Sequence, residues 1–257
     1  STLFPYTTLF RSVKFVASVD EAVVAASNGN ELVVVGGYYQ RYPGCLIVPE
    51  DSTIRTPADL KGHTLGVPGR TGSTWFTVQL ALDTAALSED DVDVQEIGYT
   101  QQAALMGGKV DAIAGFANND AVQLDQNGMK VRTIDVAPQV PLVGASLVTT
   151  RALLTARRDE LSAAVAASVA GMERFVTDPD GAVDATRAYV TDLVDETQAA
   201  NAREVAIATA ALVKPSEDAV IGSLVPEHVG EMIDFLAGHG LLGATTPATD
   251  DVCDPLH

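Results

Sequence analysis

The chain is poor in the residue types that most often carry chemistry. It has two cysteines, Cys45 and Cys253, far apart and in no CxxC pair, so neither a zinc motif nor a redox motif is indicated, and a disulfide between them stays open. Its four histidines, His63, His228, His239 and His257, lack metal-ligand spacing, and no GxSxG, HExxH or paired nucleophile and base occurs. The expectation is a protein that is not an enzyme and has no metal or cofactor. Basic residues are also scarce: 16 against 34 acidic give a net charge of −18, which repels phosphate backbones and anionic membrane surfaces, so nucleic acid is not an expected partner. No apolar run approaches the roughly 18 residues that span a bilayer. Aromatic residues make up only 5% of the chain.

What is present is a globular composition, 47% hydrophobic and 19% charged, in a length that suits one large or two small domains. Short β-branched runs bounded by Gly, Pro or Asn read as buried strands: VKFVAS (13–18), ELVVVGG (31–37) and CLIV (45–48). DEAVVAASNGN reads as a helix closed by Asn28-Gly29. The alternation continues with strand HTLGVP, a helix over about 73–86, strand VDVQEIG, helix QQAALMGG, strand DAIAGF, helix DAVQLDQNG and strand KVRTIDV. This pattern predicts parallel α/β sheets covered on both faces. After strand PLVGASLVTT (141–150) the chain turns helical, with Leu161, Val165, Val169, Met172 and Val176 forming one stripe and Pro179 and Gly181 breaking it. The tail ATTPATDDVCDPLH is polar and is expected to fray. Segments 45–62 and 137–147 are the candidate hinges between two lobes.

TPADLKGHTLGVPGRTGSTWF (56–76) resembles the entry to the second lobe of bacterial ABC-transporter solute-binding proteins, and GGKVDAIAGFANNDAVQLDQNG (107–128) resembles the helix-strand step of the same superfamily. The nearest likeness is to the branch with thiamine-pyrimidine, riboflavin, taurine and alkanesulfonate binding proteins. The resemblance implies an α/β, two-lobed type II periplasmic-binding-protein fold with a helical C-terminal region. It implies lobe one over 13–60 and 145–257, and lobe two over 61–144. It also implies that lobe one is incomplete, because the family has further strands and helices before the one that VKFVAS matches. Residues 1–12, STLFPYTTLFRS, fit no signal peptide or amphipathic helix. Read back into codons they match a common sequencing adapter, so they are expected to be an artefact joined to an N-terminally truncated gene. VKFVAS would then lack a neighbour strand, and the chain would express poorly or bind weakly.

In GRTGSTW, Gly69 and Gly72 permit a sharp turn, and Thr71, Gly72, Ser73 and Thr74 bring hydroxyls and free N–H groups to a helix start. Spacing alone leaves capping and ligand contact equally open; the resemblance favours contact. No GK[ST] follows, so this is not a nucleotide-hydrolysing loop. GFANND leaves the carboxyl end of a strand, where open α/β sheets bind ligands. Asn118 and Asn119 each offer a donor and an acceptor; one is expected to cap the next helix and the other to face the ligand, with Phe116 beside them. GGYYQRYPG clusters Tyr38, Tyr39 and Tyr42 with Gln40, and one or two of the tyrosines are expected to line the site. Ser18 and Asp20 end the first strand; Asp20 is a capping or a binding residue.

The resemblance implies the extracytoplasmic solute-binding component of an ABC importer, monomeric, that closes on a small molecule and delivers it to a membrane permease. It would be periplasmic or a membrane-anchored lipoprotein. The tyrosines and paired asparagines favour a flat heterocycle, a thiamine-precursor pyrimidine or riboflavin; a taurine or alkanesulfonate binder is the alternative. A ligand-sensing domain of a regulator is the alternative from another class.

Overall fold

The computed structural model describes residues 15–137, 139–190, 193 and 195–257, with side chains from Ser18 onward; the adapter-like residues 1–12 lie outside them. The order of elements is β1 (Phe15–Ser18), α1 (Val19–Ser27), β2 (Leu32–Gly37), β3 (Gly44–Pro49), β4 (Thr64–Val67), α2 (Gly72–Thr84), β5 (Asp93–Glu96), α3 (Gln101–Met106) and β6 (Ala112–Phe116). A π-helical turn (Ala117–Ala121) leads into α4 (Val122–Gln126), β7 (Val131–Ile134) and β8 (Ala145–Thr150). The helices α5 (Arg151–Ala156), α6 (Arg158–Thr177), α7 (Pro179–Thr186), α8 (Glu196–Val213), α9 (Pro226–Gly238) and α10 (Thr249–Val252) complete the chain. Among the described residues no helix is long and apolar enough to cross a membrane.

Two compact units result. Of the described residues, the first comprises those from 15 to 39, 142–171 and 220–257; the second comprises those within 40–141 and 172–219. These divisions differ from the boundaries read off the sequence. The start of segment 45–62 belongs to β3, which pairs antiparallel with β6 on one side and β7 on the other in the second unit's sheet. The chain leaves the first unit earlier, at Tyr39/Gln40, and 172–219 joins the second unit because α8 packs against the π-turn and α4.

The first unit holds a three-stranded sheet in the order β1-β8-β2, with both pairings antiparallel. The Val33-Val34-Val35 run is wholly buried, as a strand covered on both faces requires. The expected stripe on α6 is real: Leu161, Val165, Val169 and Met172 are buried, and Val176 partly so. Pro179 does more than break that helix. It occupies the start of α7, where a missing N–H costs nothing, and Asp178 caps the turn by accepting from Gly181 N–H at 2.9 Å.

The second unit holds five strands in the order β5-β4-β6-β3-β7. Only the β5–β4 and β4–β6 pairings are parallel, so the expectation of parallel sheets holds for one part of one sheet. An apolar strand buried on both faces carries no sign of its direction, and β3 takes the opposite one. Its core gathers Cys45, Ile47, Leu105, Val110, Ile113 and Leu124.

The tail is not frayed. Asp254 N–H donates to Val34 O at 3.0 Å and Leu256 N–H to Val35 O at 2.8 Å, and Cys253 bridges Val34 in parallel. Two consecutive carbonyls can face the tail because β2 shifts register against β8 between Val34 and Gly36, a bulge that frees Val35 from the ladder. Arg158 clamps Asp254 through both carboxylate oxygens at 3.0 and 2.7 Å, and Arg151 donates to the carbonyls of Asp250 and Asp251.

Both cysteines are buried free thiols, Cys45 in the second unit and Cys253 in the first. Burial, then the charges of Asp120 and Asp135, push Cys45 up to about 12; burial, then Asp254, pushes Cys253 up to about 11. At pH 8 a thiol reagent is therefore expected to label neither until the chain unfolds. Labelling of Cys253 alone in native protein would show that the tail detaches, and immediate labelling of both would contradict their burial.

Candidate ligand-binding site

In the second unit, three strand ends converge on one edge of the sheet. The parallel strands β4 and β6 finish there, and β3 begins there, with Gly44 paired to Phe116. This edge is where open α/β sheets bind small molecules.

After β4 the chain runs through Thr71, which is extended and exposed, into α2. Gly72 adopts φ of 76°, a left-handed conformation that other residues rarely take, so this turn needs its glycine. Ser73 and Thr74 follow as buried residues of the first helical turn, and Thr71, at the N-cap position, makes no side-chain cap bond. Tyr42 is tied to this helix instead of being open to ligand: its hydroxyl donates to Ser73 O at 3.0 Å and lies 3.0 Å from Thr77 Oγ1. Arg70, the cation nearest in sequence, stacks 4.9 Å over Trp75 and is ion-paired with Glu89 and Glu96.

At the end of β6, Asp120 Oδ2 accepts from Phe116 N–H at 2.9 Å, whereas neither the π-turn nor α4 has a side-chain cap bond at its start, so the helix cap expected of an asparagine is not made. A carboxylate suits this place because it can accept on both oxygens, and Oδ1 takes Gln102 Nε2 at 3.0 Å. Gly115 makes room for it: a Cβ there would lie 2.8 Å from Asp120 Oδ2. Asn118 is buried and donates to Thr209 Oγ1 of α8 at 2.9 Å. Asn119, half-buried, accepts from Gln123 Nε2 at 2.6 Å. Phe116 is half-buried beside them.

The first unit has its own polar edge, where β1 and β2 end on either side of the start of β8. Tyr38 and Tyr39 both donate their N–H groups to Ala145 O, at 3.1 and 2.9 Å. Their half-buried rings lie 5.0 Å apart, tilted by 34°. Burial, and then Tyr39, push the Tyr38 phenol above its ordinary value, so it stays a neutral donor and acceptor. Ser18 stands opposite Ala145 at the end of β1. Asp20 is wholly buried and is not the cap residue; it sits in the first turn of α1 and accepts from Glu21 N–H at 2.6 Å. Gln40 begins the second unit, where its N–H meets Leu212 O of α8 at 2.8 Å.

The predicted residues therefore fall into two groups, Ser18, Asp20, Tyr38 and Tyr39 in one unit, and Gln40, Thr71–Thr74, Phe116, Asn118 and Asn119 in the other. Sequence reasoning passed over Asp120, Gln102, Gln123 and Thr209. Asp120 was legible in principle, since a carboxylate four residues beyond a strand end can satisfy its last N–H.

The NMT1/THI5-like family matches residues 13–182, about two thirds of the chain. The chain belongs to that family. All the residues of both edges lie within the matched span, whereas Thr209 lies beyond it. The chain is 32% identical over 170 residues to the riboflavin-binding protein RibY of Chloroflexus aurantiacus, covering 66% of this chain and 48% of that protein. It thus spans about half the length of the curated relative it matches. Its fold is similar to that of the alkanesulfonate-binding protein SsuA of Xanthomonas axonopodis pv. citri, with a TM-score of 0.68 and 19% identity over 93% of this chain and 79% of that one. The desulfurization enzyme DszB has a related fold, with a TM-score of 0.57, 16% identity, and coverage of 93% and 82%. The fold is that of the type II periplasmic binding proteins.

Proposed function

We propose that this family member is the solute-binding component of an ABC importer, acting outside the cytoplasmic membrane and delivering a flat nitrogen heterocycle, riboflavin or a thiamine-precursor pyrimidine, to a permease. The observation that carries the choice of ligand is the Tyr38–Tyr39 pair at a sheet end, two half-buried rings in a chain with few aromatics. Such rings stack on a planar heterocycle and bond its edge. The riboflavin-binding relative supports the same choice.

A sulfonate is the second reading, favoured by the start of α2 with its buried Ser73 and Thr74. Against it stands Arg70, the nearby cation, already engaged by Glu89 and Glu96. Although one neighbour in fold is an enzyme, the chain is proposed to bind its solute without turnover.

A thermal-shift panel separates the readings. Riboflavin or the pyrimidine at 100 to 1,000 times its dissociation constant is expected to stabilise the chain by about 2.7 to 4.1 kcal/mol. Stabilisation by taurine alone would transfer the assignment to sulfonates, and chemical conversion of the bound heterocycle would make the protein an enzyme.

A further inference from the structure

Asp120 gives direction to a chain of hydrogen bonds that ends on Asn119. Its carboxylate accepts from Phe116 N–H and from Gln102. A carboxylate has nothing to donate, so Gln102 must turn its nitrogen toward it, not its oxygen. The second hydrogen of that nitrogen reaches Gln123 Oε1 at 3.1 Å. Gln123 is thereby oriented with its own nitrogen toward Asn119 Oδ1, 2.6 Å away. The remaining polar atom of Asn119 is Nδ2, a donor only. The two ends of an amide have nearly the same shape, so the orientation of each of these three side chains is set by the bonding of the one before it. All four residues belong to the second unit, at the carboxyl end of β6.

We propose that Gln102 is a positioning residue that, through Gln123, presents Asn119 to the solute as a hydrogen-bond donor, so that this part of the site selects an acceptor oxygen. A ring carbonyl of a flat heterocycle and an oxygen of a sulfonate both satisfy it; an N–H edge does not. The selectivity rests on the solute-binding reading above, whereas the direction of the chain does not.

Side-chain amide exchange by NMR on the full 15N-labelled chain tests the direction without ligand. The Asn119 amide hydrogens are expected to exchange with water faster than those of Gln102 and Gln123. Slow exchange at Asn119 with fast exchange at Gln102 or Gln123 would mean that the chain runs the other way and would overturn the proposal. Gln123→Glu supplies an acceptor on both sides, so Asn119 is expected to turn round and its amide hydrogens to become protected. Riboflavin and taurine are then titrated separately. Whichever binds the parent chain is expected to bind Gln123→Glu about tenfold more weakly, the effect of one lost hydrogen bond, with unfolding followed by Trp75 fluorescence unchanged. Unchanged affinity in that variant overturns the selectivity. If neither ligand binds the parent, the proposed function fails, and the exchange pattern alone decides the direction.

Discussion

Replacing Asp120 by alanine is expected to destabilise the second unit by about 3 to 6 kcal/mol, the loss of two hydrogen bonds to a charged acceptor at about 1.5 to 3 kcal/mol each. The site is buried, so Phe116 N–H and the Gln102 amide would be left without their acceptor where water does not easily replace it. Asp120→Asn keeps the shape and one acceptor oxygen, and is expected to cost about half as much. The chain's single tryptophan, Trp75, is buried in α2 of the same unit, so its fluorescence on denaturant unfolding reads the effect directly. An Asp120→Ala variant that unfolds with the parent's midpoint would remove this network from the structural core of the site. The same substitution takes away a negative charge that helps hold the Cys45 thiol protonated, though burial remains the larger cause.

Deleting Cys253–His257 is the second large perturbation. It removes two backbone hydrogen bonds to β2, the buried Cys253 and the Arg158–Asp254 clamp. At about 1 kcal/mol for each bond, about 1 to 2 for the buried side chain and no more than about 1 for a partly exposed ion pair, the expected loss is about 3 to 5 kcal/mol. It also uncovers the carbonyls of Val34 and Val35, so the shortened chain is expected to associate through that strand edge, which size-exclusion chromatography would detect. A monomeric deletion variant with unaltered melting would contradict the docking. Acid should act in the same direction, more weakly. The hydrogen bond from Arg158 holds the Asp254 carboxyl below its ordinary range. Its contribution is therefore fully present above the unfolded value near pH 4 and is lost as pH falls through the lower folded value. Asp254→Asn should flatten this part of the acid limb of a stability profile.

Local patterns carried far in this chain. The α6 stripe, the valine run of β2, the turn at Gly72 and the strand end before Asn118 all follow from residues close in sequence, and each lies where periodicity or turn chemistry puts it. What eluded sequence reasoning depends on partners far away. The run CLIV is apolar on both faces and would fit any buried strand, so nothing local assigns β3 to the second sheet or runs it antiparallel to β6. The tail has the composition of a loose end. Its docking needs a bulge in β2 and a guanidinium 96 residues away. The asparagines of GFANND are versatile hydrogen-bonding groups, yet Asn118 is spent on Thr209 from α8, and it is Asp120 that satisfies the last N–H of β6. The tyrosine cluster divides for a similar reason: Tyr42 meets α2, while Tyr38 and Tyr39 remain with the other sheet.

The most direct test of solute binding at these edges is a calorimetric titration of the chain with riboflavin, repeated with Tyr38→Ala. Saturable binding of one riboflavin per chain, weakened up to about tenfold by loss of one stacking ring, is the predicted result. No saturable binding of riboflavin or of the pyrimidine, together with binding of taurine that Tyr38→Ala leaves intact, would contradict it.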